Sequence, residues 1–318
     1  MHRALTAALL PLFFLGSRGA SLQEEPARAE PDGIEPALLA LFDYDVELDL
    51  DVREEAYDSF DGYDRVDISY ASPMGGRVPA YLYVPQTEEP WAGMLVMHGM
   101  PGDRSNGQTF GPGYARGGAL CLAISAPWAR LGPGEQMEPI TFTEEDRANQ
   151  IQLVQDLRRG VDLLLTFSEV DPKRLGYVGG SYGGAMGGLL AGVEKRIVAY
   201  ALVVGDGGLY AHMTSPGDRI PPEGLDVETW QRWKSWMEPI EPLRFVAHAA
   251  PSQLLFQNGR TDELVPEADA LVYQAAGSEP KTCLWYADGH SITRERIRDQ
   301  AKWFAERIGI DPTALVGP

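Results

Sequence analysis

One stretch limits this chain more than any other: Leu175-Gly176-Tyr177-Val178-Gly179-Gly180-Ser181-Tyr182-Gly183-Gly184-Ala185-Met186-Gly187-Gly188. It is a short apolar strand running into a glycine cluster that contains one serine. Residues 179–183 fit G-x-S-x-G. That spacing suits a sharp strand-to-helix turn, in which the serine is forced into strained φ/ψ and only glycine fits two positions to either side. Ser181 Oγ is then held clear of the backbone. Because a helix starts at the next residue, the Tyr182 N–H lacks an intrahelical acceptor and is available to an oxyanion. The same residues also describe a glycine-rich turn with an incidental serine, so the reading depends on what the rest of the chain brings to that turn.

Strand and helix patterns alternate around it. Val66 to Tyr70 and Val78 to Val84 flank the turn cluster Ser72-Pro73-Met74-Gly75-Gly76 and read as a hairpin. Met94 to Met97 is a strand ending in His98-Gly99-Met100-Pro101-Gly102, and Ala119 to Ile124 is another, ending in Ala126-Pro127-Trp128. Arg147 to Phe167 carries Ile151, Val154, Leu157, Val161 and Leu164 at helical spacing, with a polar opposite face. Val198 to Val204 is an uninterrupted apolar run, suited to a strand buried on both faces. Ser252 to Gln257 and Thr282 to Tyr286 follow as strands, Glu267 to Ala276 and Ser291 to Ile308 as helices. Such alternation implies an α/β fold, a mostly parallel sheet with helices on both faces.

Two stretches differ. From Gly205 to Phe245 prolines interrupt the pattern and Trp230, Trp233 and Trp236 share one face of a short helix, so this region reads as an inserted cap, about 205–246. Its tryptophans either pack that helix or wall the mouth of a site, and Trp128 stands at another strand end; Trp128, Trp230 and Trp233 are therefore candidates for a substrate pocket. Phe42 to Val52 alternates apolar with acidic, the period of an extended segment with one buried face. The glycine of an EF-hand loop is missing there, which speaks against calcium.

The first residues resemble an export signal: His2 and Arg3, an apolar run from Ala4 to Leu15, and small residues at Ser17 and Gly19. That run is too short to span a bilayer, and no cysteine follows it to take a lipid. Cleavage is expected near Gly19 or Ala20, giving a periplasmic or secreted protein. The expected organisation is a signal peptide over 1–20, an acidic Pro-rich tether over 21–41 and one large domain over 42–312. A net charge of -19 opposes nucleic acid and anionic membranes as partners. Two cysteines are too few for a disulfide framework, and both Cys121 and Cys283 lie in apolar runs that suggest buried free thiols.

A serine nucleophile needs a base and an acid to orient it, and in a parallel sheet both belong on loops at strand carboxyl ends. The 252–257 strand empties into Asn258-Gly259-Arg260-Thr261-Asp262-Glu263, and the next into Ala287-Asp288-Gly289-His290. Ser181, Asp262 and His290 thus occur in the order Ser, Asp, His, each just past a strand. Glu263 and Asp288 are the competing acids. The loop after His98 offers the Met100 N–H as second oxyanion donor beside that of Tyr182. With no H-E-x-x-H, cysteine cluster or nucleotide-binding glycine loop, neither metal nor cofactor is expected.

These residues together resemble the α/β-hydrolase superfamily, and within it the dienelactone-hydrolase-like and acetyl-xylan-esterase-like exported esterases. The resemblance runs from about Phe42 to the last helix and rests on His98-Gly99, Asp156-Leu157-Arg158-Arg159, Gly180-Ser181-Tyr182-Gly183-Gly184, Asn258-Gly259 with Asp262, and Gly289-His290. It implies an eight-stranded sheet with a small cap, an acyl-enzyme formed on Ser181, and a small-molecule or saccharide ester as substrate. Gly-Ser-Tyr-Gly-Gly is also typical of the prolyl oligopeptidase family, so a peptidase or amidase is the alternative, although that family normally carries a large propeller for which this chain has no room. Dienelactone hydrolases proper use a cysteine where this chain has Ser181. A noncatalytic binding protein on the same fold is the third reading.

Overall fold

The apolar runs fold as one twisted sheet. The computed structural model describes residues 33–130, 138–214 and 221–316. Among these the strands are β1 (Arg53–Phe60), β2 (Tyr63–Ala71), β3 (Arg77–Pro85), β4 (Trp91–Met97), β5 (Ala119–Ile124), β6 (Val170–Gly180), β7 (Ala199–Val203), β8 (Gln253–Gly259) and β9 (Lys281–Tyr286). They lie in the order β1-β2-β3-β5-β4-β6-β7-β8-β9. The first three pairings are antiparallel and the remaining five parallel.

The helices are α1 (Pro36–Leu39), α2 (Gly111–Arg116), α3 (Glu144–Leu164), α4 (Tyr182–Val193), α5 (Leu209–Met213), α6 (Val227–Met237), α7 (Pro242–Phe245), α8 (Glu267–Ala276), α9 (Arg294–Ile308) and α10 (Thr313–Val316). Tyr114 of α2 and Phe304 and Ile308 of α9 bury Met94, Val96 and Ala201 on one face of the sheet. On the other, α3, α4, α6, α7 and α8 close over Leu95, Tyr177, Leu202 and Phe256. Parallel strands covered on both sides explain the unbroken apolar runs.

Four expectations need correction. The sheet has nine strands rather than eight, because Arg53–Phe60 adds to the hairpin edge. All eight of its residues are exposed, so neither face imposes an apolar period on the sequence. Phe42 to Val52 is not a half-buried extended segment: Phe42 is buried, but Val46, Leu48 and Val52 face solvent. Cys121 is buried in β5, whereas Cys283 sits exposed on the edge strand β9; both are free. The expected tether ends early, since α1 forms at Pro36 and Leu38 and Leu41 pack against the core. The proposed signal peptide and the tether up to Asp32 lie outside the described residues.

The helix α3 explains the 42–52 segment. Thr143 caps its first turn, which is acidic (Glu144, Glu145, Asp146), as suits the positive end of a helix dipole. Its polar face is not solvated. Gln155 donates to the carbonyls of Leu41 (3.0 Å) and Asp43 (3.2 Å), Arg158 to that of Phe42 (2.5 Å), and Arg159 to those of Val46 (3.2 Å) and Leu48. Side-chain donors thus satisfy backbone acceptors that a strand would have paired in a ladder. Asp156, buried on the same helix, pairs with Arg130 from the loop after β5 at 2.6 Å.

The register of the parallel strands aligns their carboxyl ends. Met97 pairs with Gly179, Gly180 with Val203, Val203 with Gln257, and Gly259 with Tyr286. The loops that begin with His98, Ser181, Arg260 and Ala287 therefore leave one edge of the sheet.

Replacing Arg159 by Met is expected to lower stability by about 2 kcal/mol, since it removes charge-assisted bonds to two carbonyls. It should also open residues 43–52 to limited proteolysis. Chemical denaturation and protease mapping test this, and an unchanged digestion pattern would refute the clamp.

Candidate active site

The turn at the end of β6 has the expected strain. Ser181 adopts φ 55° and ψ -120°, outside the basins that L-residues favour, and α4 starts at the next residue. A Cβ at Gly179 would lie 2.3 Å from the Gly183 carbonyl oxygen, and one at Gly183 would lie 2.5 Å from that of Met97. Both glycines are therefore fixed by contact. The turn is braced from outside: the Ser181 N–H donates to Val203 O (2.8 Å), the Tyr177 hydroxyl to Gly183 O (2.6 Å) and the Tyr273 hydroxyl to Ala185 O (3.0 Å).

The loop after β4 lies against this turn, with Gly99 so close that a Cβ there would sit 3.1 Å from Ser181 Cβ. His98 pins the loop. Its Nε2 accepts the Ala126 N–H at 3.1 Å, so the proton sits on Nδ1, which donates to Gly99 O at 2.7 Å. Burial pushes the imidazole down to about 4, which keeps it neutral. The N–H groups of Met100 and Tyr182 have no hydrogen-bond acceptor among the described residues.

Of the three carboxyls left open by the sequence, one reaches the candidate base. His290 Nδ1 lies 2.8 Å from Asp262 Oδ2, while Asp262 Oδ1 accepts the N–H groups of Leu264 (3.0 Å) and Val265 (2.9 Å). Asp288 is engaged by Arg296, and Glu263 is exposed. Ser181 and His290 both line a cavity of about 630 Å³, together with His98, Gly99 and Met100.

Beside it lies a smaller cavity of about 120 Å³ that also touches Ser181, Tyr182 and Met100. It contains a second His–Asp pair, His212 Nδ1 with Asp206 Oδ2 at 2.6 Å. The sequence pattern does not mark this pair, because His212 falls in the irregular insertion. The available signal was Asp206, just past the end of β7 on the same sheet edge.

The tryptophans are not pocket-lining residues. Trp128 and Trp230 are 1% exposed and Trp233 is fully buried. Trp230 and Trp233 stack at 5.4 Å, and Trp233 Nε1 donates to Asp146 Oδ2 on α3 at 2.7 Å. Trp128 packs edge-on against the Tyr182 ring at 5.0 Å, behind the turn. Trp230 and Trp233 face the core because α6 lies directly on α3. Among the described residues, no three His, Cys, Asp or Glu side chains gather as a metal-binding group.

The model of the prolyl oligopeptidase family matches residues 142–310, more than half the chain, and spans Ser181, Asp262 and His290. The chain belongs to the prolyl oligopeptidase family. No curated protein matches it. Among solved structures, an acetyl xylan esterase from Paenibacillus sp. R4 is similar with a TM-score of 0.66 at 19% identity, over 85% of this chain and 92% of that one. Acetyl xylan esterase 1 from Thermoanaerobacterium sp. JW/SL YS485 gives 0.66 at 16%, over 86% and 93%. A glucuronoyl esterase from Solibacter usitatus gives 0.59 at 14%, over 86% and 91%. At these identities the likeness establishes the α/β-hydrolase fold.

The position of His98 carries a pH dependence. Its imidazole is held at about 4 in the fold against an ordinary 6.5, so between those values the unfolded chain binds a proton that the native state excludes. This contribution is complete above pH 6.5 and is lost on acidification towards pH 4, amounting to about 3 kcal/mol. His98→Gln should flatten that part of the stability profile in denaturant titrations run from pH 7 to 4; an unaltered slope would contradict it.

Proposed function

We propose that the protein is an exported serine hydrolase of carboxylic esters. The observation that carries the reading is the His290–Asp262 bond of 2.8 Å on the rim of the cavity that Ser181 also lines. Asp262, saturated on its other oxygen by two backbone amides, holds His290 with the proton on Nδ1 and leaves Nε2 as the base. Ser181 Oγ attacks the ester carbonyl as its proton passes to Nε2. The Met100 and Tyr182 amides stabilise the oxyanion, a role worth about 3 kcal/mol per donor. The imidazolium then protonates the departing alcohol, and water, activated by the same histidine, releases the acid from Ser181.

Esters are preferred over amides on the strength of the solved structures, whose own names are those of esterases. Membership of the prolyl oligopeptidase family favours a second reading as peptidase or amidase. Export rests on the character of residues 1–20. Among the described residues no helix is long and apolar enough to cross a membrane. A small-molecule or saccharide ester is the substrate class, with residues 42–312 as the catalytic domain and the 205–246 insertion as its cap.

Purified protein should hydrolyse short-chain aryl esters and leave aminoacyl anilides intact. Ser181→Ala and His290→Ala are each expected to lower kcat by about 10⁶-fold, and Asp262→Asn by about 10⁴-fold, because the amide presents the wrong tautomer to His290. Turnover of anilides without esters would transfer the protein to the second reading. Inertness to both, with no fluorophosphonate labelling of Ser181, would remove catalysis altogether.

A further inference from the structure

The smaller cavity is built to a different specification from the larger. Its wall is apolar where Met100, Ile140, Leu209, Met213 and Val265 meet, and His212 is set into it on Asp206. Nothing in the proton relay from Ser181 to His290 and Asp262 uses this second pair, and the His212 side chain is 39% exposed, so its ring is open to a ligand group in the cavity.

The position of His212 is fixed over several contacts. The helix α5 that carries it follows Gly208 at its N-cap, and the buried Glu241 carboxyl accepts the N–H groups of Tyr210 (3.0 Å) and Ala211 (3.1 Å). A Cβ at Gly208 would strike Pro242 at 2.3 Å, so the start of α5 is pressed against the segment that holds Glu241. Asp206 in turn accepts the Gly208 N–H at 3.2 Å through its other oxygen. With Nδ1 engaged by Asp206, the ring has only Nε2 left to offer, and that atom has no hydrogen-bond partner among the described residues.

The two cavities also divide the substrate. His290 must reach the leaving oxygen and lines the larger one, so the alcohol arm belongs there. The smaller one touches Ser181 and both residues whose amides face the oxyanion, but not His290, and it receives the acyl arm. At about 120 Å³ it holds roughly the volume of four waters, a short acyl chain.

We propose that His212 is a specificity-determining residue that donates from Nε2 to an uncharged oxygen near the distal end of a short acyl group. The inference rests on the ester-hydrolase reading above. An uncharged oxygen fits better than a carboxylate because Asp206 already balances the imidazolium; that carboxylate raises the imidazole above its ordinary value and so favours the form with a donor on Nε2. Burial pushes the neighbouring Glu241 carboxyl up to about 8, which leaves little negative charge there to offset.

The test uses two 4-nitrophenyl esters of equal size, methoxyacetate and butyrate, which differ by an ether oxygen in place of a methylene. Their intrinsic reactivities differ but are common to all variants, so the ratio of kcat/KM values between wild type and variant isolates the pocket. His212→Leu should lower the methoxyacetate preference by about ten-fold, the worth of one charge-assisted hydrogen bond, and His212→Gln, which keeps a donor, should retain part of it. An equal loss on both esters from both variants would overturn the proposal and leave the ester-hydrolase reading intact. Binding of the two free acids to Ser181→Ala, measured by calorimetry with and without His212→Leu, separates the failures. If no ester is turned over but methoxyacetate still binds more tightly in a His212-dependent way, the pocket assignment survives and the hydrolase reading falls. Absence of any preference in either assay would overturn the pocket assignment.

Discussion

Everything at this site depends on how closely α4 approaches the end of β4. Gly183 lies so near the Met97 and His98 carbonyls that no side chain fits between them. That contact holds the turn at Ser181 in its strained backbone conformation, and it sets the loop carrying Met100 beside the first residue of α4. A turn of this kind stores about 1–3 kcal/mol of backbone strain, which persists only because the surroundings over-determine it. Here the surroundings are two tyrosine hydroxyls, the β7 carbonyl that accepts the Ser181 N–H, and His98 bridging to the loop after β5.

The sheet turns that local constraint into a site. Because β4, β6, β7, β8 and β9 are parallel and in register at their carboxyl ends, residues far apart in sequence emerge on one edge. This is why the placement of Ser181, Asp262 and His290 on one edge was legible in the sequence: each follows an apolar run, and the order of the runs places their ends together. Chain order favours Asp262 but leaves Glu263 and Asp288 as alternatives, and the structure brings Asp262 to His290. That choice follows from the bend after Gly259, where the backbone amides of Leu264 and Val265 turn the Asp262 carboxyl inward while Arg296 draws Asp288 away.

What sequence reasoning missed shares a physical cause. Hydrophobic periodicity reports burial, so a strand with both faces in water, such as Arg53–Phe60, carries no signal. The alternation from Phe42 to Val52 carried the opposite error: its period suggested a buried face, but its backbone is held by Gln155, Arg158 and Arg159, whose role as carbonyl donors no period of apolar residues encodes. Tryptophans in an irregular insertion suggested a wall over the site. Their contact partner on α3 was polar, Asp146, and nothing in the spacing distinguishes an aromatic face turned to a cavity from one turned to a helix.

The buried Trp233 is nevertheless linked to the smaller cavity through a chain of contacts. Trp233 bonds α6 to Asp146, and Gln150, one turn along α3, donates to the Ile240 carbonyl at 2.8 Å. Glu241 follows Ile240 and caps the helix that carries His212. The rigid face of α3 thereby reaches the smaller cavity without any aromatic ring entering it. A pocket built on an insertion gains precision when that insertion is tied to a core helix rather than left to its loops. On this view the tryptophans set specificity by fixing where His212 stands, so substitutions that shrink Trp233 should act on the choice of acyl group through the position of that one imidazole.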